Sequence, residues 1–197
     1  MNMTIFRFIN NMAGKNHALD LTMIFFSKYV PYIFMLAIVF VFITGIKNNS
    51  LNYRKAAIST LIITIINLII NFIIGGIYYV DRPFVHNKVN LLFPHVKDAS
   101  FPSDHAAGTM SIALGLKGYS KAFRIIFIVL SFIVGFSRVY VGQHYPSDVI
   151  GAYIIVFVST YIYNFKLKDK VEELYGKIES KLMVSFGSKL LEKIRNS

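Results

Sequence analysis

The chain has 197 residues, of which 55% are hydrophobic, and a mean hydropathy of +0.54, which excludes an ordinary soluble domain and marks a membrane protein. It has no cysteine, which excludes disulfides, thiolate catalysis and cysteine-ligated zinc. Its formal charge of +11 lies between and after apolar runs, where cytoplasmic anchors belong, so it does not predict a nucleic-acid partner.

The first twenty residues hold Arg7, Asn10, Asn11 and Lys15 among short apolar pieces and read as no cleavable signal. Ile5, Phe6, Ile9 and Met12 instead predict an N-terminal amphipathic helix resting at the interface. A spanning helix needs about 20 mostly apolar residues. Tyr29–Ile46 qualifies, and Leu21–Phe26 extends it through Ser27 and Lys28. Ala56–Val80, Phe123–Val141 and Val149–Phe165 are further spans, whereas Ser103–Leu116 is shorter and fits a helix buried inside the bundle. From Leu167 onward Val171, Leu174, Ile178, Leu182, Phe186, Leu190 and Ile194 recur at helical spacing among Lys and Glu. That pattern predicts an amphipathic helix on anionic lipid rather than a partner-binding coiled coil. The expected fold is all-α: a polytopic bundle of about five transmembrane helices over residues 1–166 and an amphipathic tail over 167–197.

Five crossings place three basic clusters on one side: Lys47, Arg54 and Lys55; Lys117, Lys121 and Arg124; Lys166, Lys168 and Lys170. The positive-inside rule makes that side, and the C-terminus, cytoplasmic. The connections Asp81–Pro102 and Gly142–Asp148 then share the outer side and hold most of the chemistry-capable residues. Four crossings would place Arg82 and His144 on opposite faces.

Arg138 interrupts an apolar run, where a guanidinium costs about 2.5–3.5 kcal/mol at mid-membrane on insertion scales. A buried arginine needs an anion, and its donor fork suits phosphate oxygens. Arg82, held by Pro83, supplies a second fork; the alternative is that both snorkel to lipid headgroups. Pro102, Ser103 and Asp104 read as a helix start, whose free N–H groups favour an anion. His105 beside that start is a proton donor. His144 and Asp148 stand four residues apart around Pro146, so the carboxylate can orient the imidazole and leave its other nitrogen as nucleophile. His and Asp are also metal ligands, but a cationic pocket repels a divalent ion, and no metal or other cofactor is expected. Together these groups can hold a phosphoryl group, attack it through His144 and protonate the leaving oxygen from His105.

These blocks resemble the type 2 phosphatidic acid phosphatase superfamily, whose ordered motifs are Lys-x6-Arg-Pro, Pro-Ser-x-His and Ser-Arg-x5-His-x3-Asp. Here they stand as Arg82-Pro83, Pro102-Ser103-Asp104-His105, and Ser137-Arg138 with His144 and Asp148. The first motif's lysine would fall at Gly75, and Asp104 stands where glycine is usual. Those departures and the surrounding strings are similar to the undecaprenyl-diphosphatase branch of the bacitracin-resistance type, from residue 1 to about residue 165. The resemblance implies a polyprenyl diphosphate substrate, a phosphohistidine without metal, and a site on the outer face of a bacterial plasma membrane. His144, His105 and Asp148 would be catalytic; Arg82, Arg138, Ser103 and Asp104 would bind phosphate. His86, Lys88, His95 and Lys97 are candidates to replace the absent lysine. Asp104 has three roles open: capping its helix, carrying a proton, or orienting His105. Two other readings are the same chemistry on a glycerophospholipid phosphate, and a non-catalytic lipid carrier or flippase. The carrier's appeal is Asn67 and Asn71 within one span, a pair that interhelical hydrogen bonding also explains. Oligomeric state is not encoded in these patterns.

Overall fold

Where Pro31 removes a backbone donor, the first apolar stretch breaks in two. In the computed structural model, which describes residues 2–195 and the side chains of 2–182, this stretch is α2 (His17–Lys28) followed by α3 (Val30–Lys47). Tyr29 forms the junction, with φ −105° and ψ −36°. The single extended span expected through Ser27 and Lys28 is therefore two helices. A proline at 31 cannot donate to the carbonyl at 27, so that carbonyl is left for another donor.

Before them lies α1 (Asn2–Asn10); after them come α4 (Leu51–Ile77), a single turn α5 (Pro83–His86), α6 (Asp104–Gly115), α7 (Lys121–Tyr140), α8 (Pro146–Lys166) and α9 (Lys168–Arg195). Among the described residues there is no strand. Four helices, α3, α4, α7 and α8, are long and apolar enough to cross a membrane. Their starts are marked chemically. Ser50 and Ser120 accept hydrogen bonds from the amides of Tyr53 and Phe123, and Pro146 opens α8 with φ already suited to a helix.

The shorter helix expected inside the bundle is α6, only 12 residues long and packed against α4, α7 and α8. Ala106, Ala107, Thr109, Met110, Ser111, Ile112 and Ala113 are all buried on it. Small side chains let neighbouring backbones approach where no hydrophobic force drives helices together in lipid. Polar side chains then join them. Asn67 donates to the Ser111 hydroxyl at 2.7 Å and accepts from Ser159, tying α4 to α6 and α8. Asn71 donates to Asp104 at 3.2 Å. Of the two asparagines that could have lined a carrier's path, Asn67 is committed to these interhelical bonds at both ends and Asn71 through its amide nitrogen. Outside the bundle, Leu36, Phe72, Ile77, Tyr161 and Phe165 are exposed, an apolar surface of the kind lipid covers.

The alternation of α3, α4, α6, α7 and α8 gathers α1, α5, the segment from Tyr78 to Ser103, and the α7–α8 turn at one end. The α3–α4 and α6–α7 turns and the start of α9 lie at the other. At the first end α1 is more than an interfacial float. Its Phe6 is fully buried and meets the Tyr145 ring edge-on at 5.6 Å. Asn10 donates to the carbonyls of Tyr140 and Asn90 at 2.8 and 2.9 Å and accepts from the Asn90 amide at 2.9 Å. Only Ile5 and Phe8 keep an outward apolar face. The same knot explains Gly142, which has φ +87° and whose added Cβ would stand 2.9 Å from the Asn90 carbonyl oxygen. At the second end α9 packs on α4 and α8. Arg54, buried on α4, donates to the Gly45 carbonyl at 2.6 Å and pairs with Glu179 of α9 at 2.6 Å. Of the tail's periodic residues, the side chains of Phe186, Leu190 and Ile194 lie outside those described.

Candidate active site

The α7–α8 turn carries His144 inward. It is 1% exposed, and its ring is held at both nitrogens. Nδ1 lies 2.9 Å from the Ser100 carbonyl oxygen, which can only accept, so Nδ1 carries the proton and donates. Nε2 is thereby left with its lone pair, 2.9 Å from Nη1 of Arg82. Asp148 stands at 3.6 Å from Nδ1, beyond a hydrogen bond, so the direct carboxylate–imidazole bond suggested by the four-residue spacing is replaced by the Ser100 carbonyl. The carboxylate instead holds the frame. Its Oδ2 accepts from the Ser100 hydroxyl at 2.5 Å and from the Tyr145 amide at 2.8 Å. Through Ser100, Asp148 orients the backbone that orients His144.

Both arginines are buried: Arg82 at 5% exposure and Arg138 at 1%. Arg82 is fixed by Asp98 at 2.6 Å and by the Gln143 carbonyl at 3.1 Å. Arg138 is held through one nitrogen only. Its Nη1 donates to the Ser27 hydroxyl at 2.8 Å and points to the Ser27 carbonyl at 3.5 Å, the acceptor that Pro31 leaves without a helical donor. Its Nε and Nη2 are buried without partners among the described residues. A guanidinium in that state is strongly unfavourable unless an anion completes it, and a phosphoryl group presents matching oxygens.

The start of α6 completes the cluster. Ser103 is the residue before Asp104 and is fully buried; its amide donates to the Asp148 carbonyl at 3.1 Å, but its hydroxyl has no partner and caps nothing. The expected capping serine is thus a free hydroxyl near the helix start, a further donor for an anion. Asp104 is turned to Asn71, which fills one oxygen of its carboxylate. His105 lies in the electrostatic field of Arg138, His144, His95 and Arg82. The structure thus brings His144, Asp148, Arg82, Arg138, Ser103 and His105 to one end of the bundle, and places Asp104 on the side facing α4.

Burial first, then the Arg138 and Arg82 charges, push the His144 imidazole well below its usual value of 6.5. A lowered value keeps the ring neutral as pH falls through 6.5, so Nε2 holds its lone pair there. The acid limb of kcat/KM, corrected for ionisation of the substrate phosphate, is therefore expected below pH 6.5. A His144-dependent limb above that value in a pH–rate profile would contradict this environment. Asp98 shows the opposite balance: burial raises its carboxyl, but the Arg82 hydrogen bond and charge outweigh it and leave the value below the ordinary one.

Gly75, where the family lysine would fall, faces the segment that carries Ser100. A Cβ there would stand 3.2 Å from the Phe101 carbonyl oxygen and 3.3 Å from the Ala99 Cβ. A side chain at 75 would push on the strand of chain that fixes His144. Of the loop residues weighed as substitutes, His86 is committed to Asp81 at 2.9 Å. His95 lies in the field of Arg82 and Arg138, and burial lowers its imidazole, so it offers a hydrogen bond rather than a lysine's charge. Three supports were not read from sequence: Ser100, Asp98 and Ser27. The first two sit in the Asp-Ala-Ser-Phe-Pro-Ser string that leads into the second motif, while Ser27 gave no signal beyond its place four residues before Pro31.

A multi-pass helical bundle with fixed cations around an oriented imidazole is a membrane enzyme of phosphoryl chemistry. Residues 56–170 match the PAP2 superfamily, and the chain belongs to it. It is 32% identical over 169 residues to the undecaprenyl-diphosphatase BcrC of Bacillus subtilis, covering 86% of this chain and 85% of that protein. It is 30% identical over 191 residues to the bacitracin transport permease protein BcrC of Bacillus licheniformis, covering 94% and 92%. Among solved structures, LpxE of Aquifex aeolicus superposes with a TM-score of 0.69 at 26% identity, over 82% of this chain and 93% of that one. This is a lipid phosphatase of the PAP2 type.

Proposed function

We propose that this phosphatase converts undecaprenyl diphosphate into undecaprenyl phosphate and inorganic phosphate at the outer face of a bacterial plasma membrane, recycling the cell-wall lipid carrier and giving bacitracin resistance. The observation that carries the mechanism is the His144 ring, whose Nδ1–H is spent on the Ser100 carbonyl so that Nε2 keeps its lone pair, which must leave its hydrogen bond from Arg82 to meet phosphorus. In this reading Nε2 attacks the terminal phosphorus and a P–N bond forms. The P–O bond to the lipid monophosphate breaks, and His105 gives its proton to the departing oxygen. Water then cleaves the P–N bond, His105 takes the water's proton, and inorganic phosphate leaves. Arg82, Arg138 and the Ser103 hydroxyl neutralise and position the phosphoryl oxygens throughout, the main demand of such a transfer. The cationic setting argues for a reaction driven by these side chains rather than by a divalent ion.

The polyprenyl substrate is supported by the name of the Bacillus subtilis relative. The outer-face assignment is supported by the basic clusters at the opposite end of the bundle. Residues 1–166 form the phosphatase unit in this reading, and 167–197 a cytoplasmic appendage. The test is phosphate release by the purified protein from undecaprenyl diphosphate and from phosphatidate in parallel. A higher kcat/KM on the polyprenyl diphosphate is expected; preference for phosphatidate would move the reading to the glycerophospholipid alternative, and no release from either would favour a carrier. A cysteine at position 86 should react with an impermeant reagent on intact cells, and labelling only after lysis would invert the orientation.

A further inference from the structure

A second cavity, of about 420 Å³, lies at the end of the bundle away from His144. It sits where the ends of α6 and α8 meet the start of α9, with Ser59 and Ile63 of α4 on its wall. The phosphoryl chemistry described above uses none of its residues.

Its wall holds Thr160, 5% exposed, whose hydroxyl has no hydrogen-bond partner among the described residues. Other hydroxyls inside these helices behave differently. Thr60, Thr64 and Ser111 each donate to the carbonyl four residues back, at 2.6 to 2.8 Å, and Ser159 donates to Asn67. A buried hydroxyl without a partner is unfavourable, and such an atom lining a cavity points to a ligand that completes it. The rim supplies the charge. Lys117, in the turn after α6, and Lys168, at the start of α9, both line the cavity. Lys117 is exposed, and Lys168 makes a long 3.6 Å contact to Glu172. Asp169 and Asn164 also line it and can accept, and Leu114 and Phe165 add apolar surface.

We propose that this cavity binds the phosphodiester headgroup of a phospholipid in the leaflet opposite the active site. Lys117, Lys168 and Thr160 take the phosphate oxygens, and Asp169 and Asn164 accept from a hydrogen-bond donor at the headgroup's far end. A headgroup ending in hydroxyls, such as glycerol, meets both halves; a choline end cannot donate. The acyl chains run down the exposed apolar faces of α8. The cavity lies at the level where the helices end, which is where headgroups sit. The proposal rests on the membrane-spanning fold and is independent of the undecaprenyl reading.

The test uses full-length protein purified and placed in bilayer discs of phosphatidylcholine with a minority of phosphatidylglycerol. Lipids retained after extraction are then counted by native mass spectrometry. Preferential retention of about one phosphatidylglycerol per chain is expected. The double variant Lys117→Gln/Lys168→Gln should weaken it about 10-fold or more, since each cation near a lipid surface contributes on the order of 1 kcal/mol. Thr160→Val, which keeps the shape and removes the hydroxyl, should weaken it by a smaller factor. Phosphate release by both variants in phosphatidylcholine alone, at the wild-type rate, serves as the folding check. Equal retention of the two lipids, or retention indifferent to all three positions, would overturn the proposal. Displacement of the lipid by millimolar inorganic phosphate would reassign the site to a soluble ion and overturn the lipid source.

Discussion

Replacing His144 by asparagine is expected to lower phosphate release from a polyprenyl diphosphate by at least about 10⁴-fold, the scale at which enzymes lose a nucleophile. Asparagine is the informative choice. Its amide nitrogen occupies roughly the position of Nδ1 and can still donate to the Ser100 carbonyl, the bond that ties the α7–α8 turn to the segment before α6. The variant should therefore fold, keep Asp148 in its bonds to Ser100 and Tyr145, and lack only the atom that attacks. Wild-type enzyme quenched in alkali during turnover of substrate labelled in its terminal phosphate should carry acid-labile phosphate, and the asparagine variant none. Turnover within 10-fold of wild type in a well-folded asparagine variant would remove His144 from the reaction. His105→Ala should show a different pattern, with slow turnover partly restored for a substrate whose leaving oxygen needs no proton.

Much of this arrangement was legible because membrane insertion writes itself into composition. The spans α4, α7 and α8 follow from apolar runs, and the short α6 from the parity that the basic clusters demand. The motif blocks named every charged group of the pocket except Asp98. What stayed hidden are contacts made by groups the pattern does not mark. The partner of His144 is a backbone carbonyl, and every residue has one; the spacing to Asp148 pointed to the carboxylate, which instead acts one bond further away, through the Ser100 hydroxyl. The break at Tyr29 was hidden because apolar residues flank Ser27 and Lys28 on both sides, and Pro31 interrupts the hydrogen bonding there. The docking of α1 was hidden for a similar reason. Phe6 suits a lipid interface and a protein groove equally, and it is long-range contacts such as the Asn10–Asn90 pairing, 80 residues apart, that decide for the groove.

Arg138 carries the second large effect, and its sign differs between activity and stability. Only Nη1 is bound, to Ser27, while Nε and Nη2 are buried and unsatisfied. Holding a charge in that state works against folding, because a buried ion recovers its desolvation loss only when all its donors are met. Arg138→Met removes the charge and keeps much of the volume, so its melting temperature should equal or exceed that of the wild type. Turnover should fall about 10²–10³-fold, the loss seen when one preorganised donor to a developing oxyanion is removed. Arg138→Lys separates charge from geometry. A lysine keeps the positive charge but presents a point rather than a fork, and it cannot span the Ser27 hydroxyl and a phosphoryl oxygen together. Its activity should lie nearer to that of the methionine variant than to wild type. Ser27→Ala gives the graded control: Nη1 loses its anchor while the guanidinium stays, so a loss of about 10-fold is expected, on the scale of one hydrogen bond to a charged group. Full activity in Arg138→Met would show that the burial of this arginine serves packing alone. A methionine variant that is both inactive and more stable would show that the fold tolerates an unsatisfied cation at Arg138 for the sake of the phosphate it receives.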